Sequence, residues 1–204
     1  MEESLGKSNL QKAFENILEI KNKCVDYTLQ KPLKIPRLQW KKAKPIKYLS
    51  DWINKIPYIK DFLESEYEED KHLVKIVMNV LEENLLGDNT LNNKLTYDEI
   101  NACLDDIWVS SNANKARWSA YLLNLQNIID ACWDAGTLVG AGRGSGVGFL
   151  LLYILGITQI NPLREKTKTY RFRFLNPKRV SPLDIDVDIE GNKRQIVLDT
   201  FRKL

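Results

Sequence analysis

A chain of 204 residues, 44% hydrophobic and 28% charged, has the composition of one or two packed domains rather than of a disordered, collagenous or low-complexity segment. Its longest apolar run, Phe149 to Leu155, has seven residues against the roughly 20 a spanning helix needs, and Met-Glu-Glu-Ser at the start lacks a signal layout, so a cytoplasmic location without a membrane partner is expected. Thirty basic and 27 acidic residues leave a net charge of +3, so only the distribution of charge can announce a nucleic-acid partner.

The three cysteines, Cys24, Cys103 and Cys132, form no CxxC pair and read as buried thiols, not as a disulfide framework or a zinc site. The single histidine, His72, leaves carboxylates to hold any metal. Along the chain, Leu10, Phe14, Ile17 and Leu18 predict an amphipathic helix over Ser8 to Lys23. Lys31 to Lys47 follows, with six Lys, one Arg and no acid. Pro32, Pro36 and Pro45 make it an extended connector. Asp61 to Asp70, with six acids and no base, reads as solvated surface.

Helices then dominate. Ser50 can cap one containing Trp52, Ile53 and Ile56, and Leu73, Ile76, Val77, Val80 and Leu81 mark another that Gly87 ends. Thr96 and Glu99 form a capping box for a third, through Ile107. A fourth runs from about Ala113 along Trp118, Tyr121, Leu122, Leu125, Ile129 and Trp133, stopped by Gly136. The texture then changes to a short strand at 137–140, a glycine-rich turn, an apolar helix to Leu155, and two β-prone runs, Thr169 to Phe174 and Asp184 to Ile189. There is no internal repeat.

Two constellations can carry chemistry. Gly140 to Gly148 holds five glycines in nine residues, between a predicted strand and a predicted helix. Such a loop lets backbone amides approach phosphate oxygens, with Ser145 adding a hydroxyl and Arg143 a cation. It is neither a Walker A loop nor a dinucleotide fingerprint, and a purely structural tight turn fits the same glycines. In Asp184-Ile-Asp-Val-Asp-Ile189 a strand would put all three acids on one face, about 7 Å apart. Their repulsion would be relieved by a divalent cation such as Mg²⁺, which takes one or two carboxylates plus substrate phosphates; a solvated edge strand is the plainer alternative.

Five ordered blocks carry a resemblance: Gly142 to Gly148, Tyr153 to Thr158, Asn161 to Leu163, Arg173 to Ser181 and Asp184 to Asp188. In this order they resemble the palm of the bacterial replicative DNA polymerase III alpha subunit, the C family. More weakly, Asn16 to Ile20 with Cys24 resembles the last helix of that family's polymerase and histidinol phosphatase domain, and Ile35 to Leu38 its entry into the palm.

The resemblance implies an α+β fold, with a helix-rich N-terminal two thirds packed on a small mixed sheet, a partial nucleotidyltransferase palm of the polymerase beta type. It implies residues 1–30 as the tail of one domain and 31–204 as the first part of the palm, ending before the thumb. By the same resemblance Gly144, Ser145 and Arg143 hold an incoming dNTP, with Arg173 and Arg179 nearby. Asp186 and Asp188 are metal ligands, and Asp184, Lys193 and Arg194 stand behind them. Phe149, Phe172 and Pro182-Leu183 depart from the family pattern, an acid being usual at 172.

The family's third catalytic carboxylate lies beyond the thumb, so the expectation is a fragment of a template-directed polymerase with primer-template DNA, dNTP, and through missing regions a sliding clamp, as partners. By itself it would be inactive. Two rivals stay open. One is a smaller nucleotidyltransferase completing its acids with Asp184, Glu190 or Asp199. The other is a silent nucleic-acid-binding or assembly module using the Lys31 to Lys47 stretch and exposed aromatics.

Overall fold

A computed structural model describes residues 6–24, 34–87, 89–165, 169–176, 178 and 183–203. The chain divides into two units, Met1–Leu33 and Lys34–Leu204.

The first unit contributes α1 (Lys7–Lys23), in which no residue is buried. Phe14, Ile17, Leu18 and Ile20 all stay exposed, and Glu19 pairs with Lys23 one turn on. Cys24, which ends the helix, is exposed and not the buried thiol expected.

The second unit begins with an extended strap, residues 34–48. A strap without a sheet must bond its backbone elsewhere, and here side chains of two later helices do that. They are α4 (Glu68–Leu86) and α6 (Trp118–Asp134). The Asn124 side-chain oxygen accepts a hydrogen bond from the Trp40 indole at 3.0 Å and its amide nitrogen donates to the Pro36 carbonyl at 2.6 Å, while Asn127 donates to the Gln39 carbonyl at 2.7 Å. Asn79 accepts from the Lys44 amide at 2.8 Å and donates to its carbonyl at 3.1 Å. Glu82 accepts from the amides of Lys47 and Tyr48 and from the Trp52 indole, at 2.9, 3.0 and 3.2 Å. Its carboxylate thereby sits at the start of α2 (Leu49–Lys55), where an anion is favoured.

Pro57 separates α2 from α3 (Tyr58–Glu64), a helix the periodicity had not revealed. After α4, the helix α5 (Lys94–Asn114) starts two residues before Thr96 and outlasts Ile107. Its cap is Asn93, whose side-chain oxygen accepts from the Thr96 amide at 2.9 Å, so the expected Thr96–Glu99 box is replaced by a neighbouring residue of the same chemistry. Gly136, at φ 71°, follows the end of α6 as expected. Trp52, Ile59, Phe62, Leu73, Val77, Ile100, Leu104, Ile107, Trp118 and Leu122 form the sealed centre of these five helices, each large side chain contributing roughly 1.5–3 kcal/mol.

The acidic run is not simply solvated surface. Glu69 and Asp70 are 2% and 1% exposed. Asp70 accepts from the hydroxyls of Ser65 and Ser119 and faces Arg117 at 3.7 Å; Glu69 pairs with Arg37 of the strap at 3.0 Å.

The expected small mixed sheet, and with it the α+β palm, is overturned. Among the described residues there is no sheet, only an isolated antiparallel bridge between Val139 and Ile189, closed by bonds from the Gly140 amide to the Asp188 carbonyl at 2.8 Å and from the Glu190 amide to the Leu138 carbonyl at 3.1 Å. Strand propensity needs a neighbouring strand to become a ladder, and 138–140 gives 184–189 only that one pairing. The other β-prone run folds into a 3₁₀ turn, Arg171–Arg173. The reason is tertiary: turning buries Phe174 against Phe149, ring centres 5.0 Å apart, and brings the Arg171 guanidinium to Asp106 of α5 at 2.8 Å and Glu99 at 3.7 Å.

The remaining elements are short: a 3₁₀ turn at Gly144–Gly148, α7 (Leu150–Ile154), a 3₁₀ turn at Gly191–Lys193 and α8 (Arg194–Phe201).

Candidate functional site

The bridge at Val139 and Ile189 determines where the candidate residues meet. It runs the segment 184–189 beside the start of the glycine-rich loop. Along that segment exposure alternates as two-residue periodicity requires. Asp184, Asp186 and Asp188 face outward, while Ile185, Val187 and Ile189 are half-buried on the core and line an apolar cavity with Leu125 and Ile129 of α6 and Val197 of α8. The apolar side thus anchors the segment and leaves three carboxylates in solvent.

The glycine-rich loop comes back over this acidic face. The Arg143 guanidinium approaches Asp186 at 3.5 Å through Nε and Asp188 at 3.2 Å through Nη1. The two carboxylates are 49% and 64% exposed, so the contacts are screened and worth little as stability. Their effect is local neutralisation of two neighbouring negative charges. Gly144 has φ 68° and a Cβ built on it would lie 3.6 Å from Asp186 Oδ2. The left-handed backbone there favours glycine and lets the loop pass close to the acid. Ser145 follows, half-buried at the start of the 3₁₀ turn. The apolar helix expected to Leu155 is α7, and it and the turn before it have five residues each. A dipole of that length is small, so loop amides, Ser145 and Arg143 are the groups available to an anion.

The other expected residues lie apart from this meeting point or serve the fold. Asp184 is exposed on the same face. It acts on Tyr121, whose phenol is pushed up by burial and then by the Asp184 charge. The Lys193 ammonium donates to the Gly136 carbonyl at 2.9 Å, beside the end of α6 where a cation is favoured. Arg194 begins α8 and borders the apolar space beneath residues 185–189. Arg173 is exposed in its turn, and Arg179 lies outside the described residues. Asp199 of the rival reading is paired with Arg202 at 2.9 Å.

Arg171 was passed over in favour of Arg173. It is the better-anchored of the two: burial pulls its pKa down, but Asp106 and Glu99 outweigh that and leave it raised. Asp106 is itself pushed up, by burial foremost, against the Arg171 charge. Cys103 and Cys132 are buried with thiols pushed up by burial, so neither is a thiolate nucleophile.

As a metal site the acidic face offers two carboxylates with free solvent access and a cation already against them. Among the described residues no three His, Cys, Asp or Glu side chains gather as a closed site. That donor set suits an ion that keeps waters and completes its shell with substrate phosphates, as magnesium does, and does not suit an all-protein cage.

Comparison with known proteins places this geometry in context. Residues 71–204 match the family model described as the bacterial DNA polymerase III alpha NTPase domain. Over 205 residues the chain is 30% identical to a protein named probable DNA polymerase YorL from Bacillus subtilis and to a DNA-directed DNA polymerase of Bacillus phage SPbeta, covering 98% of this chain and 16% of each relative. It is 49% identical over 69 residues to the DNA polymerase III subunit alpha of Chlamydia trachomatis, covering 34% of this chain and 5% of that protein. The chain therefore spans about a sixth of the length of these two relatives. With two thirds of its residues inside the matching model, the chain belongs to the family of the bacterial DNA polymerase III alpha NTPase domain.

Proposed function

We propose that this chain supplies the nucleotide-phosphate cradle and two of the metal-binding acids of a template-directed DNA polymerase that adds dNTPs to a primer 3′ hydroxyl. The observation that carries the reading is the convergence on Arg143: one guanidinium reaches Asp186 and Asp188 at 3.5 and 3.2 Å from within the loop that also bears Gly144 and Ser145.

In this reading Asp186 and Asp188 would hold Mg²⁺. The ion would lower the pKa of the attacking hydroxyl and neutralise charge on the leaving pyrophosphate. The chain's own residues do the rest. Arg143 offsets the repulsion between the two acids while no ion is bound, and offers its charge to a phosphate as the nucleotide arrives. Gly144 admits the triphosphate close to the backbone because no side chain stands between loop and acid, and Ser145 can donate to a phosphate oxygen. Ile185, Val187 and Ile189, packed on α6 and α8, hold the acids in register, so that positioning and electrostatics carry the rate. Asp184, on the same face, would add negative potential without ligating.

Primer extension by a longer polymerase containing this segment tests the reading. Asp186→Asn and Asp188→Asn should each lower the rate of incorporation by roughly a thousandfold or more. Wild-type rates in both variants, or transfer that survives them but dies with Asp199→Asn, would refute it.

A further inference from the structure

The turn after Thr169 exposes two large aromatic rings that the core does not use. Tyr170 and Phe172 are 59% and 58% exposed, their ring centres 5.5 Å apart at an interplanar angle of 30°. Exposed rings on a floppy loop would mean little, but this segment is anchored on both sides. Thr169 packs so tightly on Gly148 that a Cβ there would come within 2.6 Å of its methyl. Arg171, between the rings, is tied to Asp106 at 2.8 Å. Phe174 and Leu175, just after them, are buried, and the Phe174 amide closes the turn on the Arg171 carbonyl at 2.9 Å. Arg173 and Lys178 are exposed cations in the same segment, while Glu99 and Glu165 lie on the other side of Tyr170, around Arg171.

We infer that Tyr170 and Phe172 form a stacking platform for bases of single-stranded DNA, with Arg173 and Lys178 attracting its phosphates. Aromatic rings interleaved with cations are what a single strand needs, since every base has a π-face and every linkage a negative charge. The site goes beyond the catalytic reading, because strand binding of this kind needs neither the acids at 186 and 188 nor a metal ion.

The test is fluorescence anisotropy of a labelled oligothymidylate with the 204-residue chain in EDTA at low salt, which also keeps it independent of the polymerase reading. The expected result is binding that weakens as salt rises, reduced roughly fivefold or more by Tyr170→Ala and by Phe172→Ala, and restored by Phe172→Tyr. Both side chains are largely exposed, so helical circular dichroism should not change. Wild-type affinity in both alanine variants would overturn the inference. So would competition by free dNTP under the same conditions, which would give the rings to an incoming nucleotide, or a chain dimer in sedimentation that Phe172→Ala abolishes.

Discussion

The helical body from Leu49 to Asp134 and the irregular region from Thr137 onward treat charge in opposite ways. In the body, Glu82 and Asp70 are buried and each carboxylate collects several donors. In the later region Asp186 and Asp188 stand in solvent and, among the described residues, pair with Arg143. Buried carboxylates with full hydrogen bonding hold elements in place, and their loss is felt as instability. Exposed like charges gathered on one face contribute almost nothing to stability, and the proposed function gives them a ligand.

The contrast breaks most visibly at Glu82. Glu82→Ala would strand two strap amides and the Trp52 indole, so chemical denaturation should report a loss of about 3 kcal/mol; a loss below about 1 kcal/mol would mean the strap is not held by α4. Gly148→Ala probes the seam between the glycine loop and the aromatic turn. The added methyl meets the Thr169 side chain at 2.6 Å and its carbonyl oxygen at 2.9 Å, so a cost of roughly 1–3 kcal/mol is expected, with only partial relief from Thr169→Ser.

By contrast, Asp186→Asn should shift the thermal midpoint by no more than the equivalent of about 0.5 kcal/mol, which sharpens the distinction between an acid that builds and an acid that binds. The smallest effect is a pH dependence. Burial foremost, then the Lys75 charge, lowers the His72 pKa below its usual value, against a backbone bond at Lys41. The unfolded chain then binds the proton more readily than the folded one. This component of stability is complete above the ordinary histidine pKa and is lost as pH falls through it toward the lowered value. His72→Gln should flatten the stability profile between about pH 7.5 and 5.5.

Much of the body was legible because a 3.6-residue apolar period is a strong signal: α4 lies where Leu73 to Leu81 predict it, and α6 follows the row from Trp118 to Trp133 but starts at Trp118, residues 113 and 114 belonging to α5. The buried acids were not, because a charge run looks solvated until its partners are known, and Ser119 lies 49 residues from Asp70. At the site, the alternation of Asp184, Asp186 and Asp188 with apolar neighbours was readable from the residues alone, and exposure follows it. The sheet was misread because propensity describes a segment whereas a ladder needs a partner. The different surroundings of Arg171 and Arg173 were hidden for the same reason. Two residues apart on a strand they would share a face, but in a turn of three residues one reaches Asp106 and the other faces solvent.

The central claim is that the loop and the acid pair bind one ligand together. Titration of a fluorescent dNTP into the 204-residue chain, with Mg²⁺ and then with EDTA, tests it most directly. The account predicts Mg²⁺-dependent binding that Asp186→Asn and Asp188→Asn each weaken by roughly tenfold or more, while Asp199→Asn leaves it unchanged. Binding indifferent to Mg²⁺ and to both of those substitutions would contradict it.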